Sequence, residues 1–124
     1  MGVHRFTDLR AWQLARQLKV EVDRVILAKP EVQADRKFFE QLSDAVRSAP
    51  RNLAEGFGRF GRREFAHFTS IARSSLQEVQ NHLIDASDRQ FTTEPEHRAL
   101  WELSEEALAC TTGLLKSLNR RDRG

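Results

Sequence analysis

The chain has 124 residues, of which 40% are hydrophobic and 31% are charged, which is the composition of one globular domain rather than of a disordered segment. No apolar run approaches the roughly 20 residues that cross a bilayer, and the opening MGVHRFTDLR contains no signal-peptide core. The single cysteine, Cys110, can form no internal disulfide, so we expect a cytoplasmic protein without a membrane partner.

The formal net charge is only +2, but the charges are unevenly distributed. Residues 47–73 contain six arginines and two glutamates, whereas residues 94–106 contain five glutamates and one arginine. The net charge alone therefore does not indicate whether the protein binds nucleic acid, and the separation of basic from acidic segments is the more informative feature.

Four long segments carry an apolar residue every three or four positions, which is the spacing of one helix face. The predicted helices run from Thr7 to Ala28, from Asp35 to Gly56, from Arg62 to Gln90 and from Thr93 to Asn119. Thr7, Asp35 and Thr93 are suitable N-cap residues, and Thr93 with Glu96 predicts a capping box. Pro50 removes one hydrogen bond inside the second helix, so we expect a kink there.

No segment alternates with the period of a strand, so the sequence predicts an all-α protein. Four amphipathic helices joined by short loops favour a single up-down-up-down four-helix bundle. The bundle should comprise residues 5–120, with residues 1–4 and 121–124 as flexible termini. Six apolar residues lie off the predicted faces, and they either widen those faces or pack against another subunit. These are Leu14, Val20, Phe57, Phe60, Ile84 and Trp101.

Residues 56–61, GFGRFG, match the glycine spacing of dinucleotide-binding loops. That function needs a strand before the glycines and a parallel sheet around them, and neither is predicted. A glycine-rich turn between two helices is the better interpretation.

Two Glu-x-x-His pairs, Glu64 with His67 and Glu94 with His97, resemble half-sites of di-iron bundles. Each pair begins a helix, and successive helices of an up-down bundle begin at opposite ends. A helix of nearly thirty residues would separate the pairs by roughly 40 Å, so they cannot share a metal ion.

The other chemistry-bearing side chains form no recognisable site. All four histidines lack ligand or triad spacing and are expected at the surface or at helix ends, whereas Cys110 is expected in the core. We therefore predict no catalytic residues, no metal, no cofactor and no enzymatic activity.

Arginines are concentrated where the second predicted helix is followed by the third. We identify Arg51, Arg59, Phe60, Arg62 and Arg63 as candidate nucleic-acid-binding residues. A helix N-terminus attracts phosphate, arginine binds it in a bidentate manner, and an exposed phenylalanine can stack on an unpaired base. The alternative is a solvated arginine cluster whose phenylalanines complete the core.

A structural motif lies beside these arginines and comprises Pro50, Asn52, Glu55 and Gly56. Asn52 and Glu55 flank the expected kink, where they either hold the backbone by hydrogen bonds or bind a partner. Gly56 is expected to end the helix.

Three stretches of the sequence resemble a known family. They are FTDLRAWQLA at residues 6–15, PRNLAEGFGR at 50–59 and EFAHFTSIARSSLQE at 64–78. They are similar to the four-helix-bundle proteins encoded in 23S rRNA intervening sequences, and to the accessory variability determinant of diversity-generating retroelements. The resemblance implies a ring-like homopentamer. In the retroelement protein, basic surfaces contact nucleic acid and a reverse transcriptase.

Two functions remain open at this point. The first is a non-enzymatic oligomeric scaffold, most consistent with a pentamer, that binds RNA or DNA through arginines and can also engage a reverse transcriptase or another protein. The second is a protein-binding adaptor without nucleic-acid affinity. Charge segregation favours the first function, and the low net charge favours the second.

Overall fold

Four long helices and one short helix make up residues 3–120, the part of the chain that the computed structural model describes, and this part contains no strand. A 3-10 turn at Phe6–Asp8 precedes α1 (Arg10–Val22), which continues into a π-helical turn at Asp23–Leu27. The remaining helices are α2 (Pro30–Ala34), α3 (Arg36–Phe57), α4 (Arg62–Asp88) and α5 (Glu94–Asn119). The prediction of an all-α protein is confirmed. Of the termini predicted to be flexible, residues 1, 2 and 121–124 lie outside the described residues.

The four long helices pack around one apolar core. Helix α3 lies against α4, α4 against α5, α5 against α1, and α1 against α3. Each contributes buried leucines, among them Leu18, Leu42, Leu53, Leu76, Leu83 and Leu100. Within residues 3–120, no helix combines the length and the apolar character needed to cross a membrane.

Helix α1 differs from the prediction near both ends. Thr7 lies in the 3-10 turn and does not cap α1; Leu9 takes the N-cap position, with no side-chain hydrogen bond. The helical run does end at Ala28, but its last turn is π-helical. A π turn shifts the register of the residues that follow it, and Ile26 and Leu27 are both buried there while Val25 lies at the edge of the core.

The capping predictions for α3 and α5 are confirmed. The Asp35 carboxylate accepts a hydrogen bond from the Phe38 amide at 3.2 Å and so begins α3. Thr93 and Glu96 form the capping box of α5, in which each side chain accepts a hydrogen bond from the other residue's amide. Helix α2 was not predicted by the periodicity, because its five residues are too few to show one.

Helix α4 ends two residues before the predicted limit, in a Schellman motif. Gln90 adopts the left-handed conformation, with φ of 62°. The Phe91 amide then donates to the Ala86 carbonyl at 2.8 Å, and the Gln90 amide donates to the Ser87 carbonyl at 3.0 Å. These bonds satisfy carbonyl groups that the helix end would otherwise leave without donors.

The apolar residues predicted to lie off the helix faces have different environments. Leu14 widens the apolar face of its helix, the first of the two alternatives, since it is 3% exposed and α1 packs against both α3 and α5. Phe57 packs edge-on against Phe65, and Trp101 is partly buried against the core. Val20, Ile84 and Phe60 remain exposed.

His82 is a correction, since the sequence predicted surface or helix-end histidines. It is 8% exposed, lies in the middle of α4's buried face and packs edge-on against Phe38. Its position one turn from Val79 places it on the core side of α4, where an imidazole fills the space of an apolar residue.

Candidate nucleic-acid interface

The candidate interface is built on residues 58–63, which comprise the turn between α3 and α4 and the first two residues of α4 and which we call the basic turn. Its entry is fixed by hydrogen bonds from the Gly58 amide to the Ala54 and Glu55 carbonyls and from the Arg59 amide to the Gly56 carbonyl. Gly61 forms the N-cap of α4 with φ of +94°, a conformation that side-chain-bearing residues rarely adopt. The glycines therefore allow α3 to reverse into α4 within a few residues.

Close contact between the two helices holds this turn in place. Gly56, the last buried residue of α3, lies directly against Phe65 and Phe68 of α4. A side chain at position 56 would collide with the Cβ of Phe68 and with the ring and carbonyl oxygen of Phe65. The predicted role of Gly56 as a helix terminator is therefore incomplete, because α3 continues to Phe57 and Gly56 serves mainly the contact with α4.

Arg59 is held by its own protein. Its guanidinium group forms an ion pair with Glu55 at 2.7 Å and approaches Glu64 at 3.9 Å. The same group lies 4.9 Å from the centre of the Phe68 ring, within cation–π distance. Two carboxylates and an aromatic ring thus compete with any anion for Arg59.

Arg62 and Arg63 are the available cations of the basic turn. Both are exposed, both lie in the first turn of α4, and no ion pair within the described residues includes either one. Gly61 offers no side-chain acceptor to the first amides of α4, so these amides also face outward. Beside them Phe60 is 97% exposed.

Arg51 does not belong to this cluster. It lies six residues before the end of α3, about 9 Å along the helix axis from the basic turn. There it lines a groove between α3 and α4 that also contains Asp44 and Glu78. The structure therefore groups Phe60, Arg62 and Arg63, and it separates Arg51 from them.

Two other arginines of the basic region are also engaged. Arg47 forms two hydrogen bonds with the Asp23 carboxylate, at 2.9 and 2.8 Å, and so ties α3 to the end of the α1 segment. Arg73 donates to the Thr112 hydroxyl at 2.9 Å across the α4–α5 contact. Both arginines therefore connect helices. A count of charges in the sequence cannot distinguish this structural role from a role in binding.

The two Glu-x-x-His pairs have separate surroundings. Glu64 lies near Arg59, and His67 is exposed with its ring edge-on to Phe68. Glu94 pairs with Arg98 at 3.6 Å, and His97 stacks on Trp101. Across residues 3–120, no group of three or more acidic, histidine or cysteine side chains is placed to hold a metal ion.

The sequence of the chain matches a known protein family. A model of the 23S rRNA-intervening sequence protein family matches residues 7–113. The chain belongs to this family. No curated protein is a significant match to the chain. The matched region includes the basic turn, all of α1 to α4 and most of α5.

The part of α3 that precedes the basic turn in this family member is rich in polar contacts. The Asn52 amide group donates to the Ser48 carbonyl at 2.8 Å and to the Ser48 hydroxyl at 3.0 Å. The Ser75 hydroxyl donates to the Ser48 hydroxyl at 2.7 Å and so joins α4 to α3. The sequence indicated a structural role for Asn52 but gave no signal for the serine pair, because two serines in separate helices show no recognisable spacing.

The end of the molecule opposite the basic turn pairs its charges internally. Asp35 forms an ion pair with Arg89 and also accepts a hydrogen bond from it. This hydrogen bond lowers the pKa of the Asp35 carboxyl, and the hydrogen bond from the Phe38 amide lowers it further by a smaller amount. Glu96 has a lowered pKa because it accepts hydrogen bonds from the Thr93 amide and from Lys29. Cations at this end are therefore largely neutralised, in contrast to Arg62 and Arg63.

Proposed function

We propose that this protein is a non-enzymatic, oligomeric scaffold of the cytoplasm that binds RNA or DNA through the basic turn. The main observation behind the proposal is that Arg62 and Arg63 are both exposed and that neither forms an ion pair within the described residues. Arginines supply phosphate contacts, and such contacts account for most sequence-independent binding of nucleic acids.

Arg62 and Arg63 rank first among the five candidate residues, with Phe60 beside them. Arg59 should contribute less, because Glu55 already binds its guanidinium group. Arg51 should contribute least, because Asp44 and Glu78 line the same groove and repel phosphate. The binding surface is then small, and one copy of the chain should bind only weakly.

We infer that the four long helices alternate in direction as an up-down-up-down bundle. Residue pairs support this arrangement: Phe38 and Ser48 of α3 contact His82 and Ser75 of α4, in reverse order along the two helices. Gln80 and Arg73 of α4 contact Ser104 and Thr112 of α5 in the same reversed manner.

We also propose a kink in α3 at Pro50. Proline has no amide hydrogen, so the Val46 carbonyl loses its helical donor. The hydrogen bonds from Asn52 to Ser48 span Pro50, where they would support a bent backbone.

Self-assembly into a closed ring, most consistently a pentamer, would overcome the weakness of a single basic turn. A ring repeats the same turn several times on one particle, and multivalency can raise avidity by roughly a hundredfold. The exposed side chains of Val20, Ile71 and Ile84 offer apolar surface for such contacts.

A protein-binding adaptor is the second candidate function, and one surface favours it. Ile84, His97 and Trp101 line a shallow pocket of about 270 Å³ between α4 and α5, edged by Glu94 and Arg98. An apolar floor with a charged rim is typical of protein interfaces. A reverse transcriptase or another protein could occupy it while the basic turn binds nucleic acid.

The experiment is an anisotropy titration of labelled RNA at low salt, repeated over a range of salt concentrations. Replacing Arg62 and Arg63 together by glutamine should weaken binding and reduce the slope of log K against log salt by about 1.4, since each lost phosphate contact removes about 0.7. The control variant replaces Arg36 and Lys37, two cations in the first turn of α3, of which Arg36 pairs with Glu40 at 3.6 Å. Equal charge loss at the control site should have a much smaller effect.

Two results would contradict the proposal. Absence of binding by the unaltered protein would favour the adaptor function. Undiminished binding by the Arg62, Arg63 variant would place the interface elsewhere, for example on Arg10, Arg16 and Lys19 of α1.

A further inference from the structure

Phe60 differs from every other large apolar side chain of the described residues in its exposure. It is 97% exposed, whereas the next most exposed of them, Ile84, is 47% exposed. Scattered partial exposure is ordinary for a surface hydrophobe. A phenylalanine with almost its whole surface in water is unusual and indicates a binding role.

The other phenylalanines around the basic turn serve the packing of α3 against α4. Phe57 and Phe65 pack edge-on at 6.0 Å between ring centres. Phe65 and Phe68 lie against Gly56, and Arg59 covers the Phe68 ring. The contact between the helices is therefore complete without Phe60.

The backbone holds Phe60 at a defined place. The Arg59 amide is hydrogen-bonded to the Gly56 carbonyl on one side, and the Phe65 amide is hydrogen-bonded to the Gly61 carbonyl on the other. Only a few residues separate these two anchors. The backbone of Phe60 is therefore confined between the ends of α3 and α4, and its almost wholly exposed ring is open to a flat partner.

The neighbouring side chains determine what kind of partner fits. Arg62 and Arg63 follow Phe60 by two and three residues and are exposed. An apolar ring beside two guanidinium groups suits a flat base flanked by phosphates, which is the arrangement of single-stranded nucleic acid. In a duplex the bases are stacked inside the helix, and only the phosphates are available to the arginines.

We propose that Phe60 is a stacking platform for one unpaired base, so that the basic turn prefers single-stranded nucleic acid to duplex. This inference rests on the proposed function, because it specifies the ligand of the same site. Arg62 and Arg63 supply the attraction for phosphate, and Phe60 supplies the selectivity for an unpaired strand.

The test compares two labelled ligands, an oligouridine and a blunt-ended RNA duplex with the same number of phosphates. Phe60→Ala should weaken binding of the oligouridine by about tenfold, which is within the range for loss of one stacked base, and should leave duplex binding nearly unchanged. For each ligand, the slope of the logarithm of the association constant against the logarithm of the salt concentration should be the same in Phe60→Ala as in the unaltered protein, because no phosphate contact is removed. Phe60→Trp should retain the preference, since indole also stacks.

Val3→Ala is the matched control, because Val3 is an exposed apolar residue that precedes the first helical turn and belongs to neither the assembly contacts nor the pocket proposed above. It should leave both affinities unchanged. Light scattering on Phe60→Ala serves as the second measurement and should give the same mass as the unaltered protein.

Three outcomes would overturn the inference while leaving the proposed function intact. They are equal affinity of the unaltered protein for the two ligands, an unchanged oligouridine affinity in Phe60→Ala, and a reduced mass of that variant. The last would mean that Phe60 is buried against a second copy of the chain. Failure of the unaltered protein to bind either ligand would instead refute the proposed function, and the inference with it.

Discussion

Gly56 of α3 and Phe68 of α4 lie so close that a Cβ atom added to Gly56 would stand 2.8 Å from the Cβ of Phe68. The same atom would stand 3.0 Å from Phe65 and 3.3 Å from its carbonyl oxygen. A helix cannot yield at a backbone carbonyl, so the two helices would have to separate. The glycine thus sets the distance between α3 and α4 just before the basic turn.

Gly56→Ala should therefore destabilise the protein by about 1–3 kcal/mol, the usual cost of overpacking. Gly58→Ala is the matched control, because a Cβ there would meet its nearest neighbours at 3.6 and 3.7 Å, which is ordinary contact. Urea denaturation followed by circular dichroism measures both. Equal stability of the two variants would contradict the close contact at Gly56.

Gln90→Gly should stabilise the protein by about 0.5–1 kcal/mol. Gln90 has φ of 62° in the Schellman motif that ends α4, and glycine adopts this conformation without the steric cost of a side chain. Thermal denaturation should show a raised midpoint. Substitution of the exposed Gln77, in the interior of α4, by glycine should have the opposite effect.

Stability should decrease in acid through Asp35 and Glu96. Both carboxyls have a pKa lowered by folding from ordinary values of 3.8 and 4.5, respectively. Their contribution is fully present above the ordinary values and is lost as the pH falls through the lowered folded values. The loss should begin as the pH approaches these ordinary values from above and should continue below them.

Asp35→Asn and Glu96→Gln should each reduce stability at neutral pH and flatten this acid dependence. Asparagine still caps a helix, so Asp35→Asn removes the ion pair with Arg89 but keeps the N-cap of α3. Urea midpoints measured at several pH values provide the test, with the exposed Asp88→Asn as the control. An acid dependence that both variants retain would show that other carboxyls cause it.

Cys110 should react slowly in the folded protein. Burial raises the pKa of its thiol, and this effect outweighs the opposing influence of Arg10. Less thiolate is then present at pH 8, and thiolate is the reactive form. Reaction with Ellman's reagent should be slower in buffer than in urea; equal rates would mean that the thiol is open to solvent.

The oligomer should be detectable by light scattering at micromolar concentration as a multiple of the 14.3 kDa chain. If the exposed Val20 and Ile84 lie between copies, replacing either by glutamate should lower the mass, because a buried charge without a partner is costly. The far-ultraviolet spectrum should stay helical in both variants. A monomer mass for the unaltered protein would refute the assembly.

Much of the fold was predictable because its signals are local. Asp35 and Thr93 mark helix starts, and apolar spacing marks the four long helices. The π-helical turn was not predictable, since an extra residue within a helical turn leaves no distinct residue type behind. For the same reason the burial of Ile26 in place of Val25 could not be read from a regular spacing.

The candidate site was predictable only as a region. The sequence located an arginine-rich turn with Phe60, but the availability of each arginine depends on side-chain partners. Arg47 pairs with Asp23, 24 residues away in the chain, and no spacing rule predicts such a pair. Whether Arg59 is engaged depends similarly on the rotamers of Glu55 and Glu64.

The hydrogen bonds of Lys29 join residues that lie far apart in the chain. Its ammonium group donates to the Phe91 carbonyl at 2.6 Å and to Glu96 at 2.9 Å, across 62 and 67 residues of chain. The basic turn, in contrast, is closed by hydrogen bonds between near neighbours. Amide hydrogens around Phe91 and Glu96 should consequently exchange only when the start of α5 separates from the turn before α2, whereas amide hydrogens of the basic turn should exchange through smaller, local openings.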